Sequence, residues 1–383
     1  MKTLLRFSSR TALALSMMAT VAFGQHYNQT NLVSSAPGVA PVTDPQLINP
    51  WGMARGSGSP WWISDNGTGL STLYNGAGSK QGLVVTIPAA VTGKKGTPTG
   101  TIFNGSPTDF LIAPGTQAIF LFSTIDGTIA GWNPGVALNQ AATVVKTKDG
   151  SVYTGLTSAF VHDKLYLYAA NFGKGRVDIY DSTFHRAHFG EESGEEGGGE
   201  RRFEDDRLPP DFVPFNVQTI GNDIVVTYAL HEEGSPFETD GPGLGYVDVY
   251  TSTGRLLLRL EHGDWLNAPW GVALAPLDFG RFSHDLLIGQ FAGGGNTESS
   301  GWIAAYNLTT GHFDGLLEDA SGKPIAINGI WSISPGNASP GNYDAASTPA
   351  AELYFTAGPN HGSGGLLGYL TAISSDLIKG NNQ

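Results

Sequence analysis

No cysteine occurs anywhere in the chain. That excludes disulfide staples, thiol nucleophiles, Cys-ligated zinc and iron–sulfur clusters. Packing and chain closure must supply the stability. Charge is also scarce: Asp, Glu, Lys and Arg make up 14% of residues, and the net charge is −13. The basic face that nucleic acid demands is therefore missing, so no nucleic-acid partner is expected. An anionic membrane surface is an equally poor match. Acidity of this degree names no positive partner, since it ordinarily serves solubility. After the N-terminus no apolar run is long enough to span a bilayer. Familiar catalytic signatures are missing too. There is no Gly-x-Ser-x-Gly elbow, no His-Glu-x-x-His pair and no phosphate-binding Gly-Lys-Ser/Thr loop.

What is present begins with a leader. Lys2, Arg6 and Arg10 surround the start of an apolar run from Thr11 to Phe23, and Ala22-Phe23-Gly24 closes it with small residues. Residues 1–24 read as a secretory signal peptide, with cleavage near Gln25. A retained anchor is the competing reading. The chain is expected to be exported, to the periplasm or the extracellular space, without membrane insertion after cleavage.

Glycine is abundant, with 53 of 383 residues, and aromatics reach 10%. Many turns and many strands follow from this, not disorder. A repeat then appears. Asn49-Pro50-Trp51-Gly52-Met53-Ala54 is echoed by Ala268-Pro269-Trp270-Gly271-Val272-Ala273. Weaker copies align on Gly100, Gly155, Asn216 and Ser332, at roughly 50–60-residue spacing. Each anchor is followed by an apolar second strand, such as 165–168 or 286–289. A third strand ends near an aromatic: Tyr74, Trp132, Tyr180, Tyr250, Tyr306 and Tyr369. Outer strands follow at 83–87 and 256–260. Six copies of a four-strand unit predict an all-β, six-bladed β-propeller of antiparallel blades. Two β-sandwich domains are the rival.

Domain boundaries follow from this register. Residues 25–48 form an N-terminal segment, 49–375 the propeller and 376–383 a tail. Residues 31–34 are expected to supply the outer strand of the last blade and so close the ring. Residues 185–207, rich in Glu and Gly, read as a solvated acidic insertion.

Six stretches carry a family resemblance: Asn49 to Asn75, Thr97 to Asn104, Tyr168 to Asp181 (YAANFGKGRVDIYD), Gly241 to Tyr250, Asn267 to Pro276 (NAPWGVALAP) and Tyr354 to Asn360. Together they resemble a family of exported, functionally uncharacterised bacterial proteins held to be six-bladed propellers. That family is similar to the NHL and gluconolactonase-like propellers. The resemblance implies a fold and transfers no catalytic residue. The acidic insertion departs from the family pattern.

Propeller geometry places function on the face where inner strands begin and second-to-third-strand loops emerge. Candidate ligand-binding residues there are Trp51, Asp65, Asn66, Asn171, Asn216, Trp270, Asn328, Trp331 and His361. Asp65, Asn171, Asn216 and Asn328 are the candidate metal ligands, and their oxygens suit a hard cation such as Ca²⁺. By likeness to the gluconolactonases, such a cation would polarise a lactone. The plainer reading is that Asn and Asp are ordinary turn residues and that a repeated Trp is core. The first-strand Glu and channel Asp expected of a lactonase are not evident. Two functions stay open: a binding or scaffold protein for a small molecule, glycan or protein, and a metal-dependent lactonase or hydrolase. A monomer is expected.

Overall fold

The computed structural model describes residues 24–56, 58–189, 202–232, 235, 237–292, 301–336 and 351–377. The leader, the centre of the acidic insertion, residues 293–300 and 337–350, and the end of the tail lie outside them.

The six anchors are the inner strands of six antiparallel sheets arranged as blades. Blade 1 runs from axis to rim as Pro50–Ala54, Trp61–Asp65, Leu70–Tyr74 and Lys80–Thr86. Blade 2 is Pro98–Phe103, Phe120–Thr124, Thr128–Trp132 and Ala142–Lys146. Blade 3 is Tyr153–Val161, Lys164–Asn171, Arg176–Tyr180 and Arg186–Ala187. Blade 4 is Phe212–Ile220, Asp223–Leu230, Gly245–Tyr250 and Leu256–Arg259. Blade 5 is Pro269–Leu274, Leu286–Gln290, Ile303–Tyr306 and Phe313–Leu316.

Blade 6 is built from both ends of the chain. Ile330–Pro335, Glu352–Ala357 and Leu366–Ala372 form its first three strands, and Tyr27–Ser34 is the fourth. The pairing is antiparallel, from Tyr27 opposite Ala372 to Ser34 opposite Leu366. The closing strand is thus longer than the sequence suggests. Val42–Thr43 adds a short parallel strand outside it.

A single twisted sheet leaves both faces apolar, and stacking buries them. Six apolar clusters fill the six blade interfaces. Trp62, Leu73, Phe120 and Trp132 join blades 1 and 2. Leu32, Leu367, Tyr354 and Tyr74 join blade 6 to blade 1. The third-strand aromatics Tyr74, Trp132, Tyr180, Tyr250 and Tyr306 are all buried in these interfaces. Their polar tips find partners, as in Tyr74 Oη to Asp44 at 2.5 Å and Trp132 Nε1 to the Leu138 carbonyl at 2.9 Å. This is how a buried Tyr or Trp avoids an orphaned donor.

Near the axis the inner strands crowd. A Cβ on Gly52 would collide with the backbone of Thr99, and one on Gly100 with that of Leu156. On Gly271 it would lie 2.6 Å from the Trp331 carbonyl oxygen. The repeated glycine of the anchor is therefore a close-approach residue between neighbouring blades. Blade 4 has Asn216 in this place. Its Oδ1 sits where a Gly155 Cβ would be, and its Nδ2 donates to the Trp270 carbonyl at 2.7 Å.

The acidic insertion is narrower than 185–207. Arg186–Ala187 pairs with Ile179 and Tyr180 as the outer strand of blade 3. At the other limb, Phe203 is buried between Tyr168 and Tyr250, with ring centroids 5.6 and 5.4 Å away. Asp205 takes two hydrogen bonds from Arg259 and lies beside the buried Asp248. Burial works against the charge of Asp205, but the Arg259 hydrogen bonds hold it below the usual carboxylate range. Burial and then Asp205 push Asp248 up to about 7, against opposing help from Tyr250 and Arg259.

Two predictions follow from this packing. Deleting residues 25–36 removes the fourth strand of blade 6 and leaves Leu367 and Leu370 uncovered, so the melting temperature falls strongly; an unchanged melting curve would contradict the closure. The second concerns Asp248, which ionises near 3.8 when unfolded and near 7 when folded. Its contribution to stability is full below the lower value and is lost as pH rises through that window. Melting curves of Asp248→Asn should therefore decline less than wild type between about pH 4 and 7. Parallel curves would refute the assignment.

Candidate functional site

The axis has two ends, and they differ in chemistry. At the upper end the inner strands begin. The residue three before the anchor is left-handed in three blades: Asn49 (φ 47°), Ala268 (φ 46°) and Gly329 (φ 67°). That turn throws the residue before the anchor, Trp51, Trp270 or Trp331, across the axis. Asn and Gly accept such a φ readily, whereas Ala268 does so at a cost of about 1–2 kcal/mol.

The three indoles meet. Trp51 stacks on Trp331 with centroids 3.7 Å apart and planes at 19°, and Trp270 stands edge-on to both at 6.1 and 6.0 Å. Phe215 closes the group from blade 4, and Phe291 stacks on Trp331 at 4.3 Å. Phe172 lies behind Phe215 at 5.5 Å. All three tryptophans are buried, with Trp51 6% and Trp331 2% exposed. The upper axis is therefore an aromatic plug. Trp270 Nε1 donates to the Thr154 carbonyl across the ring at 2.9 Å, and Trp331 Nε1 donates to Asn49 Oδ1 at 2.9 Å. Trp51 Nε1 is buried with no partner among the described residues.

The polar residues expected at this end are tied into the scaffold. Asp65 is fully buried, and its Oδ2 accepts from Thr72 N at 3.0 Å and Thr72 Oγ1 at 2.7 Å. Burial drives its carboxyl well above the usual range, with the Thr72 bonds opposing. Asn171 accepts from Val152 N at 3.1 Å and donates to Ser151 Oγ and Asp178 at 2.9 and 2.6 Å. Asn66 accepts from Asn49 and donates to the Pro98 carbonyl at 3.2 Å, linking blade 1 to blade 2. Asn328 accepts from Asn360 N at 3.3 Å, and the adjacent His361 is exposed.

Asp65, Asn171, Asn216 and Asn328 stand in or before blades 1, 3, 4 and 6. Asp65 Oδ2, Asn171 and Asn328 accept from protein donors, the Asn216 oxygen lies against Gly155, and Asp65 Oδ1 is buried with no partner among the described residues. Among the described residues no group of three or more His, Asp or Glu is placed to hold a metal. Other carboxylates in the upper loops are perturbed. Glu238 is pushed up to about 7 by burial and then by Asp240.

The lower end, where inner strands turn back into second strands, is open. A cavity of ≈810 Å³ lies among the ends of the inner strands of blades 4, 5 and 6, with Met53 of blade 1. Gln218, Val272, Leu274, Ser332 and Ile333 are among its lining residues. Its size falls within the range of small-molecule sites. The sequence does not announce it, because its lining is contributed by separate inner strands whose ends meet only in the folded ring. The available signal was weak: the two or three positions after each anchor carry uncharged side chains.

No protein-family model matches the chain. Two uncharacterised proteins of Acanthamoeba polyphaga mimivirus are similar in sequence. R648 is 29% identical over 345 residues, covering 88% of this chain and 78% of that protein. L690 is 28% identical over 350 residues, covering 88% and 84%. These relatives are viral, so they do not carry the bacterial, exported part of the resemblance. Among solved structures, a Bacteroides thetaiotaomicron protein of unknown function matches with a TM-score of 0.51 at 10% identity, over 91% of this chain and 76% of that one. A streptogramin B lyase matches with a TM-score of 0.48 at 10% identity, over 91% and 98%. Likeness at these identities shows the fold alone. The chain is a six-bladed β-propeller of four-stranded antiparallel blades.

The hydrogen bonds of Asp65 make a structural role testable. Asp65→Ala orphans the Thr72 donors and should cost about 1–3 kcal/mol of stability. The loss of melting temperature should be equal in Ca²⁺ and in chelator. A Ca²⁺-dependent rise in wild type that vanishes in Asp65→Ala would overturn this role.

Proposed function

We propose that the protein is an exported binding protein that holds a small molecule at the lower end of its axis. The observation that carries this reading is the ≈810 Å³ cavity between the inner-strand ends of blades 4, 5 and 6. Ligand sites favour concave, mostly apolar surfaces with a few polar groups, and the lining combines Val272, Leu274 and Ile333 with Gln218, Ser332 and Ser334.

Glycan recognition at the upper axis is less well supported. A sugar platform needs an exposed aromatic face, and Trp51, Trp270 and Trp331 spend theirs on one another. The metal-dependent hydrolase reading is less well supported, because Asp65 Oδ2, Asn171 and Asn328 already accept hydrogen bonds within the scaffold.

Leu274 is half-buried at the cavity wall, so a larger side chain there can project into the space and obstruct it without opening the ring. Leu274→Trp should abolish binding of the neutral fluorophore N-phenylnaphthylamine, read as loss of its fluorescence enhancement, with the melting temperature retained. Asn360→Ala, on the opposite face, should leave binding unchanged. Equal binding by Leu274→Trp and wild type would remove the cavity from consideration.

A further inference from the structure

We propose that the lower cavity selects an uncharged, largely hydrocarbon ligand whose polar group is met by Gln218, Ser332 and Ser334. The inference rests on the reading of this cavity as the ligand site, and goes beyond it by naming the chemical class.

Charge is the first argument. None of the residues lining the cavity is Asp, Glu, Lys, Arg or His, in a chain whose net charge is −13. An ionised ligand group would leave water and find no counter-charge, which is strongly unfavourable. The polar side chains that do line the cavity are the Gln218 amide and the hydroxyls of Thr219, Ser332 and Ser334, and that of Thr219 is donated to the Ser158 carbonyl at 2.8 Å. These donate and accept hydrogen bonds without fixed charge, so they suit a hydroxyl, ester or amide.

The walls are the second argument. Met53, Ile220, Val272, Leu274 and Ile333 supply hydrocarbon and a thioether from four blades. Met adapts its shape to an irregular apolar occupant. A sugar would bring many hydroxyls to a wall with few partners, and each unpaired one costs free energy.

The mouth is the third. Leu277 lines the cavity and is 64% exposed. Phe160, 50% exposed, sits on the neighbouring hairpin of blade 3. That hairpin is fixed to the blade 4 hairpin by Phe160 N to Asn222 Oδ1 at 3.0 Å and Asn222 Nδ2 to the Phe160 carbonyl at 2.9 Å. Gly221, beside Asn222, is itself a cavity residue. Apolar side chains left in water at the rim of an apolar cavity are the expected collar for a hydrocarbon chain passing inward.

The test uses the full mature chain with N-phenylnaphthylamine bound. Three competitors of equal chain length are titrated below their micelle concentrations: a monoacylglycerol, the fatty acid anion and the alkyltrimethylammonium cation. The uncharged glyceride should displace the dye at a concentration about tenfold or more below either ion. Gln218→Leu should weaken the glyceride and leave the dye unaffected. Equal or better displacement by an ion, still blocked by Leu274→Trp, would overturn the ligand class and leave the site intact. Dye binding that survives Leu274→Trp, or no dye binding to wild type, would instead remove the site, and with it this inference.

Discussion

The structure depends on how closely six inner strands can approach one axis. At the anchor positions of blades 1, 2, 3 and 5 a Cβ would collide with the neighbouring blade. Gly52, Gly100, Gly155 and Gly271 meet this by having none. Asn216 meets it differently, placing its amide in the space over Gly155 and bonding onward to Trp270. Other short polar links run around the same hub: Thr99 Oγ1 to the Tyr153 carbonyl at 2.7 Å and Thr356 Oγ1 to the Trp51 carbonyl at 2.6 Å. Where backbones touch, carbonyls of one inner strand are satisfied by side chains of the neighbouring blade. The ring is therefore tightened at its centre and padded by aromatics at its rim. It is locked by a strand that joins the two ends of the chain.

That central crowding also decides where a ligand can go. In blades 1, 5 and 6 a left-handed residue redirects the chain and drives an indole over the hub. The three indoles and Phe215 fill the upper axis, and the polar residues around them are consumed in holding neighbouring blades. Below the hub the inner strands carry aliphatic and small polar side chains in place of the indoles, and the space between them opens. The same repeat thus seals one end of the axis and leaves the other apolar and concave. Buried carboxylates such as Asp65 and Asp248 belong to the blades, and burial raises both above the usual carboxylate range.

Much of this architecture was legible. The strand periods at 165–168 or 247–250, bounded by glycine turns, reproduce the observed strands because pleated alternation and burial impose the same pattern on each blade. The role of residues 31–34 was also readable, although the pairing extends back to Tyr27. The outer strands Ala142–Lys146, Arg186–Ala187 and Phe313–Leu316 were not read. They are short and largely half-exposed, with too few residues to display an apolar period. Asp65 and Asn171, read as loop residues, are the last residues of second strands, and the partners of the candidate residues were not legible. Nothing in Asn171 itself announces that Asp178 and Ser151 will hold it. The lower cavity depends on which side chains from four neighbouring blades, far apart in sequence, end at the same height, and no local pattern records that.

The central claim is that the axis binds at its lower end and not at its upper one. A crystal structure of the full mature chain grown with a neutral long-chain glyceride tests it most directly. The account predicts ligand density between the inner-strand ends of blades 4, 5 and 6, against Leu274 and within reach of Gln218 and Ser332. Density above Trp331, in the loop that carries Asn360 and His361, with the lower cavity filled only by water, would contradict it.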